Sequence, residues 1–149
     1  MEDILMEKTL VLIKPDAVRK KYIGTLIQVY EAHGLAIREM YMTHATLEVL
    51  GQHYNEHAGQ PFYNSLLDFM QSGNIVVMML EGENAAEVVR EINGETNPSK
   101  ARPCTIRYLY GTNVQQNAVH GSATIEDAKR ELSIWFPEIA DETENLESL

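Results

Sequence analysis

The stretch Asn117-Ala118-Val119-His120-Gly121-Ser122 sets a histidine between a short apolar run and a glycine, directly ahead of a helix start. A neutral imidazole nitrogen attacks phosphorus readily near neutral pH, so a histidine held at such a junction is a candidate nucleophile. A lone histidine is more often a hydrogen-bonded structural residue, and the rest of the chain has to supply its chemical partners. Cations fall on separate elements: Lys14 just past a strand, Arg90 in a helix and Arg107 in an irregular stretch. Any one of them is most simply a solvated charge. Together they can converge on phosphates, the arginines through their planar forks and the lysine as a point charge. Thr96, just after Gly94, can add a hydroxyl. Glu131 lies about two helical turns beyond Thr124. It is either a surface carboxylate or the third group that orients a nucleophilic histidine. Phe62, following Pro61 at a helix start, is either a core residue or a stacking platform that accepts any base.

Those residues need elements to carry them. Thr9-Leu10-Val11-Leu12-Ile13 reads as a buried strand, stopped by Lys14-Pro15-Asp16 because proline cannot donate to a ladder. Lys21 to His33 carries Leu26, Ile27 and Tyr30 at helical spacing and ends on Gly34. Leu35 to Met42 reads as a second strand. Thr46 is the expected cap of a helix through Tyr54, and Pro61 the first turn of another through Met70. Ser72-Gly73-Asn74 turns into a third strand, Ile75 to Leu80. Asn84 is the expected cap of a helix with Ala85, Val88, Val89 and Ile92 on one face, ended by Gly94. From Glu95 to Gln116 regular signals fail, and a long irregular stretch that holds Arg102 and Arg107 reads as functional. Val119 belongs to a short strand. Thr124 caps a last helix with Ile125, Ala128, Leu132 and Trp135 as its stripe. The order β-α-β-α-α-β-α-loop-β-α gives an α/β or α+β domain with strand order left open.

Composition excludes several classes. The chain has 149 residues, 44% of them apolar, which suits one domain with a real core. The net charge of −10 argues against broad nucleic-acid binding, which needs a basic surface, but not against a small phosphorylated ligand. Half of that excess sits at 138–149, in Glu138, Asp141, Glu142, Glu144 and Glu147, read as a solvated, partly ordered tail. The single cysteine, Cys104, excludes an intrachain disulfide and suits a reducing compartment. The acidic N-terminus has neither signal-peptide nor transit-peptide character, and no run approaches a membrane span, so a cytoplasmic protein is expected. There is no G-x-x-x-x-G-K-[ST] loop and no Cys/His cluster with zinc spacing.

Across nearly its whole length, from about Lys8 to about Phe136, the chain resembles the nucleoside diphosphate kinases. The resemblance rests on separated blocks in family order: Ile13-Lys14-Pro15-Asp16-Ala17-Val18, Pro61-Phe62-Tyr63, Phe69-Met70-Gln71-Ser72-Gly73, Glu81-Gly82-Glu83-Asn84-Ala85, Gly94-Glu95-Thr96-Asn97-Pro98, Thr105-Ile106-Arg107 and the His120 block. It implies a ferredoxin-like sandwich, a four-stranded antiparallel sheet covered by helices, formed by one domain over 1–149. It implies ping-pong transfer of the terminal phosphate of a nucleoside triphosphate, typically ATP, to a nucleoside diphosphate through a phosphohistidine. Magnesium would be held mainly by the nucleotide phosphates, with no dedicated protein ligands.

By the same match His120 is the nucleophile through Nδ1, Glu131 fixes its tautomer, and Ser122 contacts Glu131. Lys14 and Asn117 would hold the sugar 3′-hydroxyl, with Lys14 and Tyr54 near the transferred phosphate. Arg90, Thr96 and Arg107 would grip phosphates, with His57 as a further candidate. Phe62 and Val114 would sandwich the base, with Leu66 also at the nucleotide. A homo-oligomer, hexamer or tetramer, is implied, with no nucleic-acid or membrane partner.

The chain departs from the family pattern at three places. Ala123 replaces the usual aspartate, which points to a tuned rate or altered metal dependence. Cys104 replaces a glycine, which restricts the backbone if φ there is positive, and a buried, inert cysteine is expected. Tyr108-Leu109-Tyr110-Gly111 lacks the usual pattern after Arg107. The first two motivate an alternative, a catalytically weak nucleotide-binding or scaffolding protein on the same fold. A protein-histidine phosphotransferase is a third reading, which would not need Phe62, Asn117 and Thr96 together.

Overall fold

The structure is a computed structural model that describes residues 6–139. The readings of the N-terminus and of the acidic tail beyond Ile139 lie outside the described residues. The strands are β1 (Met6–Ile13), β2 (Ala36–Thr43), β3 (Ile75–Glu83) and β4 (Val119–Gly121). The helices are α1 (Pro15–Arg19), α2 (Ile23–Ala32), α3 (Leu47–His53), α4 (Tyr63–Met70), α5 (Ala85–Asn93), α6 (Ile106–Tyr110) and α7 (Ile125–Trp135). The strands form one sheet in the order β2-β3-β1-β4, and each neighbouring pair is antiparallel.

The two central strands are apolar along most of their length because both faces are covered. Side chains alternate across a strand, so Val11 and Ile13 point into one core while Leu10 and Leu12 point into the other. The first core is closed by α2 and α5 through Leu26, Tyr30 and Val89. The second is closed by α3, α4 and α7 through Leu50, Leu67 and Trp135. Each large aliphatic side chain fully buried in this way contributes about 1.5–3 kcal/mol. The last helix faces the second core and packs along β1, which puts its middle behind β4.

Several local expectations hold. Thr46 and Thr124 cap their helices, accepting from the amides of Val49 and Asp127. Gly34 and Gly94 follow their helices at φ of 86° and 84°. Others need correction. Pro15 does more than end β1. Its fixed φ also suits a first helical position, and the short α1 follows at once. Pro61 lies ahead of α4, whose first residue is Tyr63. Asn84 precedes α5 but makes no side-chain cap, because its own backbone is left-handed at φ 50°. The stretch read as irregular contains α6, capped by the Thr105 hydroxyl, which accepts from the Tyr108 amide. A single helical turn within a loop is too short to leave a periodic signal. Cys104 is exposed, not buried, and it holds φ 73°. Among the described residues no helix is long and apolar enough to cross a membrane.

Candidate active site

β4 sits at the edge of the sheet against β1, with His120 in register with Leu12. Two contacts fix how the chain enters it. The Lys14 amide donates to the Ala118 carbonyl at 2.9 Å, and the Asp16 carboxylate accepts from the Ala118 amide at 3.0 Å. Ala118 is thereby held at φ 74°, a conformation that L-residues avoid unless their surroundings impose it. The turn delivers His120 to the edge of a cleft of about 980 Å³, with its side chain 23% exposed.

Behind His120 the carboxylate of Glu131 is almost fully buried. It accepts from the Ser122 hydroxyl at 2.7 Å and meets His120 Nε2 at 2.9 Å. An ionised carboxylate only accepts, so Nε2 carries a proton, and in the neutral ring Nδ1 keeps the lone pair. Burial pushes the Glu131 pKa up. The hydrogen bond and charge of His120, with smaller help from His53 and Ser122, outweigh it and hold the carboxyl down at about 2.

The expected cations meet in the same cleft. Lys14 is 5% exposed and donates to the Gln115 carbonyl at 2.7 Å and to Asn117 Oδ1 at 2.9 Å. Its burial lowers the ammonium pKa to about 8, with Asp16 opposing the shift and Arg107 adding to it. The Asn117 amide in turn donates to the Thr96 carbonyl at 3.0 Å, so the loop after α5 and the loop before β4 are tied together. Arg107 donates to the carbonyls of Gly94 and Val119 at 2.8 and 2.9 Å. Burial lowers its pKa, opposed by Tyr30, Glu95 and Tyr54. Arg90 reaches the Ala123 carbonyl at 3.3 Å. The contact uses only backbone, so the side chain missing at Ala123 does not affect it.

The other expected residues divide between floor and mouth. Tyr54 is buried, with its ring 6.4 Å from that of His120. Its hydroxyl pKa is raised by burial first and by Glu131 second, so it remains a donor. Phe62 and Val114 are both about half exposed, at 47% and 55%, and line the cleft with Leu66. His57 lies beside Phe62, ring centres 5.3 Å apart. An exposed phenylalanine at a cleft mouth leaves its face free for stacking. Ser122 and Glu131 do not line the cleft; they act from behind His120.

Sequence reasoning missed Asp16, which clamps Ala118, and His53, whose ring lies 4.5 Å from that of His120. Asp16 left a weak signal as an acid beside a helix-starting proline. His53 left none, since a histidine in a helical stripe carries no mark of its neighbours. Lys100 and Arg102 also line the cleft. Ligand atoms of His53, His120 and Glu131 lie within 4.8 Å of one another. Two imidazoles and one carboxylate do not suit a hard, oxygen-seeking ion such as magnesium. The cleft is lined by the cations Lys14, Arg90, Lys100, Arg102 and Arg107, and also by Glu87, Glu91 and Glu95.

Comparison with known proteins identifies the family and agrees with the fold. The family model described as nucleoside diphosphate kinase matches residues 7–140. The nucleoside diphosphate kinase of Caldanaerobacter subterraneus subsp. tengcongensis is 44% identical over 136 residues, covering 91% of this chain and 98% of that protein. That of Rhodococcus erythropolis is 47% identical over 137 residues, covering 91% and 99%. The crystal structure of the Aquifex aeolicus nucleoside diphosphate kinase superposes with a TM-score of 0.86 at 38% identity, covering 89% of this chain and 96% of that one.

Proposed function

The chain belongs to the nucleoside diphosphate kinase family, and on that premise we propose that it moves the terminal phosphate of a nucleoside triphosphate to a nucleoside diphosphate through a phosphohistidine on His120. The observation that carries the reading is the pinning of His120 Nε2 by Glu131, which leaves Nδ1 as the nucleophilic nitrogen at the cleft. In the first half-reaction Nδ1 forms a bond to the terminal phosphorus. The bond from phosphorus to the bridging oxygen breaks, and its electron pair leaves with the diphosphate. The second half-reaction reverses this with another diphosphate. One site serves both because both ligands have the same shape.

The side chains divide the work. Arg90, Arg107 and Thr96 hold phosphates, and Lys14 with Tyr54 sits near the group in transit. Lys14 and Asn117 hold the sugar 3′-hydroxyl. Phe62, Val114 and Leu66 take the base with little discrimination, and His57 is a further phosphate contact. Preorganised cations of this kind neutralise charge in the transition state without reorganising. A divalent metal belongs to this chemistry. We assign magnesium, which when bound neutralises the phosphate oxygens and is held chiefly by them. Retention of the whole phosphate-binding set speaks against a scaffold without activity.

The span matched by the family model supports one domain over 1–149, with 138–149 as its acidic tail. Homo-oligomerisation, as hexamer or tetramer, is supported by exposed Met40 and Met42 on the edge strand β2 and by Leu109 on α6. A cytoplasmic location fits the single thiol.

The test is incubation with a γ-labelled nucleoside triphosphate and magnesium, without acceptor. Acid-labile, base-stable label that is discharged by a nucleoside diphosphate is expected. A nucleotide-binding protein that takes no label would overturn the reading.

A further inference from the structure

His53, the last residue of α3, is 3% exposed and does not line the cleft. Its ring packs edge-on to that of His120, with centres 4.5 Å apart and planes at 79°. Its Nδ1 accepts the indole N–H of Trp135 at 3.0 Å, so the ring proton sits on Nε2. That Nε2 is buried and has no hydrogen-bond partner among the described residues. The same tautomer disfavours a metal shared by His53, His120 and Glu131. A metal on Nε2 would drive the proton to Nδ1, against the indole donor.

The backbone around His53 is fixed as firmly as its ring. The Arg130 guanidinium donates to the carbonyls of Gln52 and His53 at 3.1 and 3.3 Å. Arg130, Glu131 and Trp135 all belong to α7. Glu131 and Trp135 are four residues apart and so share one helical face. One helix therefore holds His120 twice: directly through Glu131, and through Trp135 by way of His53. Burial keeps His53 uncharged, its pKa well below the ordinary histidine value. His120, Arg130 and His57 push the same way, and Glu131 opposes them. The ring thus satisfies the buried Trp135 indole through Nδ1 at the cost of leaving its own Nε2 donor unpaired.

We propose that His53 is a positioning residue for the phosphotransfer, its ring being the wall that keeps the His120 imidazole turned with Nε2 on Glu131 and Nδ1 toward the cleft. The inference rests on the reading of His120 as the nucleophile.

The test uses the full chain, γ-labelled ATP and magnesium, with the rate of His120 labelling and the nucleotide Kd measured separately. His53→Asn keeps an acceptor for Trp135 but removes the ring that faces His120. Its labelling rate at saturating ATP is expected to fall by on the order of ten- to a hundredfold, because misplacing a reacting group by an ångström costs that much. The Kd should stay within about twofold, since His53 does not itself line the cleft. Trp135→Phe leaves the ring and frees its tautomer, and should give a smaller loss of rate at unchanged Kd. It carries the test if His53→Asn does not fold. Wild-type protein that takes no label would overturn both the function and this inference. Labelled wild type, with variant rates within about threefold of it or with rate and Kd falling in parallel, would overturn this inference alone.

Discussion

The Glu131 carboxylate and His120 Nε2 meet at 2.9 Å, and that contact joins the middle of α7 to the edge strand β4. It sets the tautomer of His120 and places a buried charge whose ionisation is linked to folding.

The linkage gives a pH prediction with a definite sign. The folded Glu131 carboxyl titrates at about 2, below its ordinary value of 4.5. The stability it contributes is therefore complete above that ordinary value and drains away as pH falls toward 2. Glu131→Gln should be less stable than wild type at neutral pH, with the gap narrowing steadily between pH 5 and 2. Urea unfolding of both proteins across that range checks it, and a gap independent of pH would contradict the coupling. The same variant should lose about ten- to a hundredfold in kcat, as expected when a group that orients a nucleophile is weakened.

Lys14 is held at about 8 by burial in the free protein. Its charge, and with it part of the attraction for phosphate, is lost as pH rises through that value. The kcat/KM profile should fall on its alkaline side near pH 8, because that ratio reports the free enzyme. Lys14→Arg cannot deprotonate in this range. It should lower the rate overall and remove the alkaline fall, and a fall that persists in it would assign the limb to another group.

Phe62 offers an exposed ring with no hydrogen-bonding edge. Phe62→Ala should weaken purine and pyrimidine nucleotides alike, by about 1–3 kcal/mol of stacking. Calorimetric titration with one nucleotide of each kind decides it, and a loss confined to one base would disprove a general platform.

Cys104 sits at φ 73°, where a side chain is strained and glycine is not. Cys104→Gly should raise stability by up to about 1 kcal/mol, reduced by the greater freedom of glycine in the unfolded chain. Thermal unfolding should show a rise of a few degrees. A lower Tm would mean that the thiol makes contacts worth more than the strain.

The chemical inventory was legible in the linear chain. The His120 block, Lys14 after a strand and the arginines on separate elements are marked by residue type and spacing. The strands and longer helices follow from period and capping, as at Thr46 and Thr124. The short helices α1 and α6 escaped because one turn leaves no period to detect. The exposure of Cys104 escaped because residue type fixes only an average burial.

The sequence by itself determined the candidate residues, His120 and the separated cations, and the elements that carry them, since these depend on local residue type and on interactions within a few positions. Only the tertiary structure decided that Asp16 clamps Ala118, separated by 102 positions, and that Trp135 orients His53 across 82. It also decided that burial lowers the pKa of Lys14, and that the hydrogen bond and charge of His120 outweigh burial to lower that of Glu131. Desolvation and hydrogen bonding of this kind belong to the packed interior, and no local pattern along the chain encodes which distant side chain will supply them.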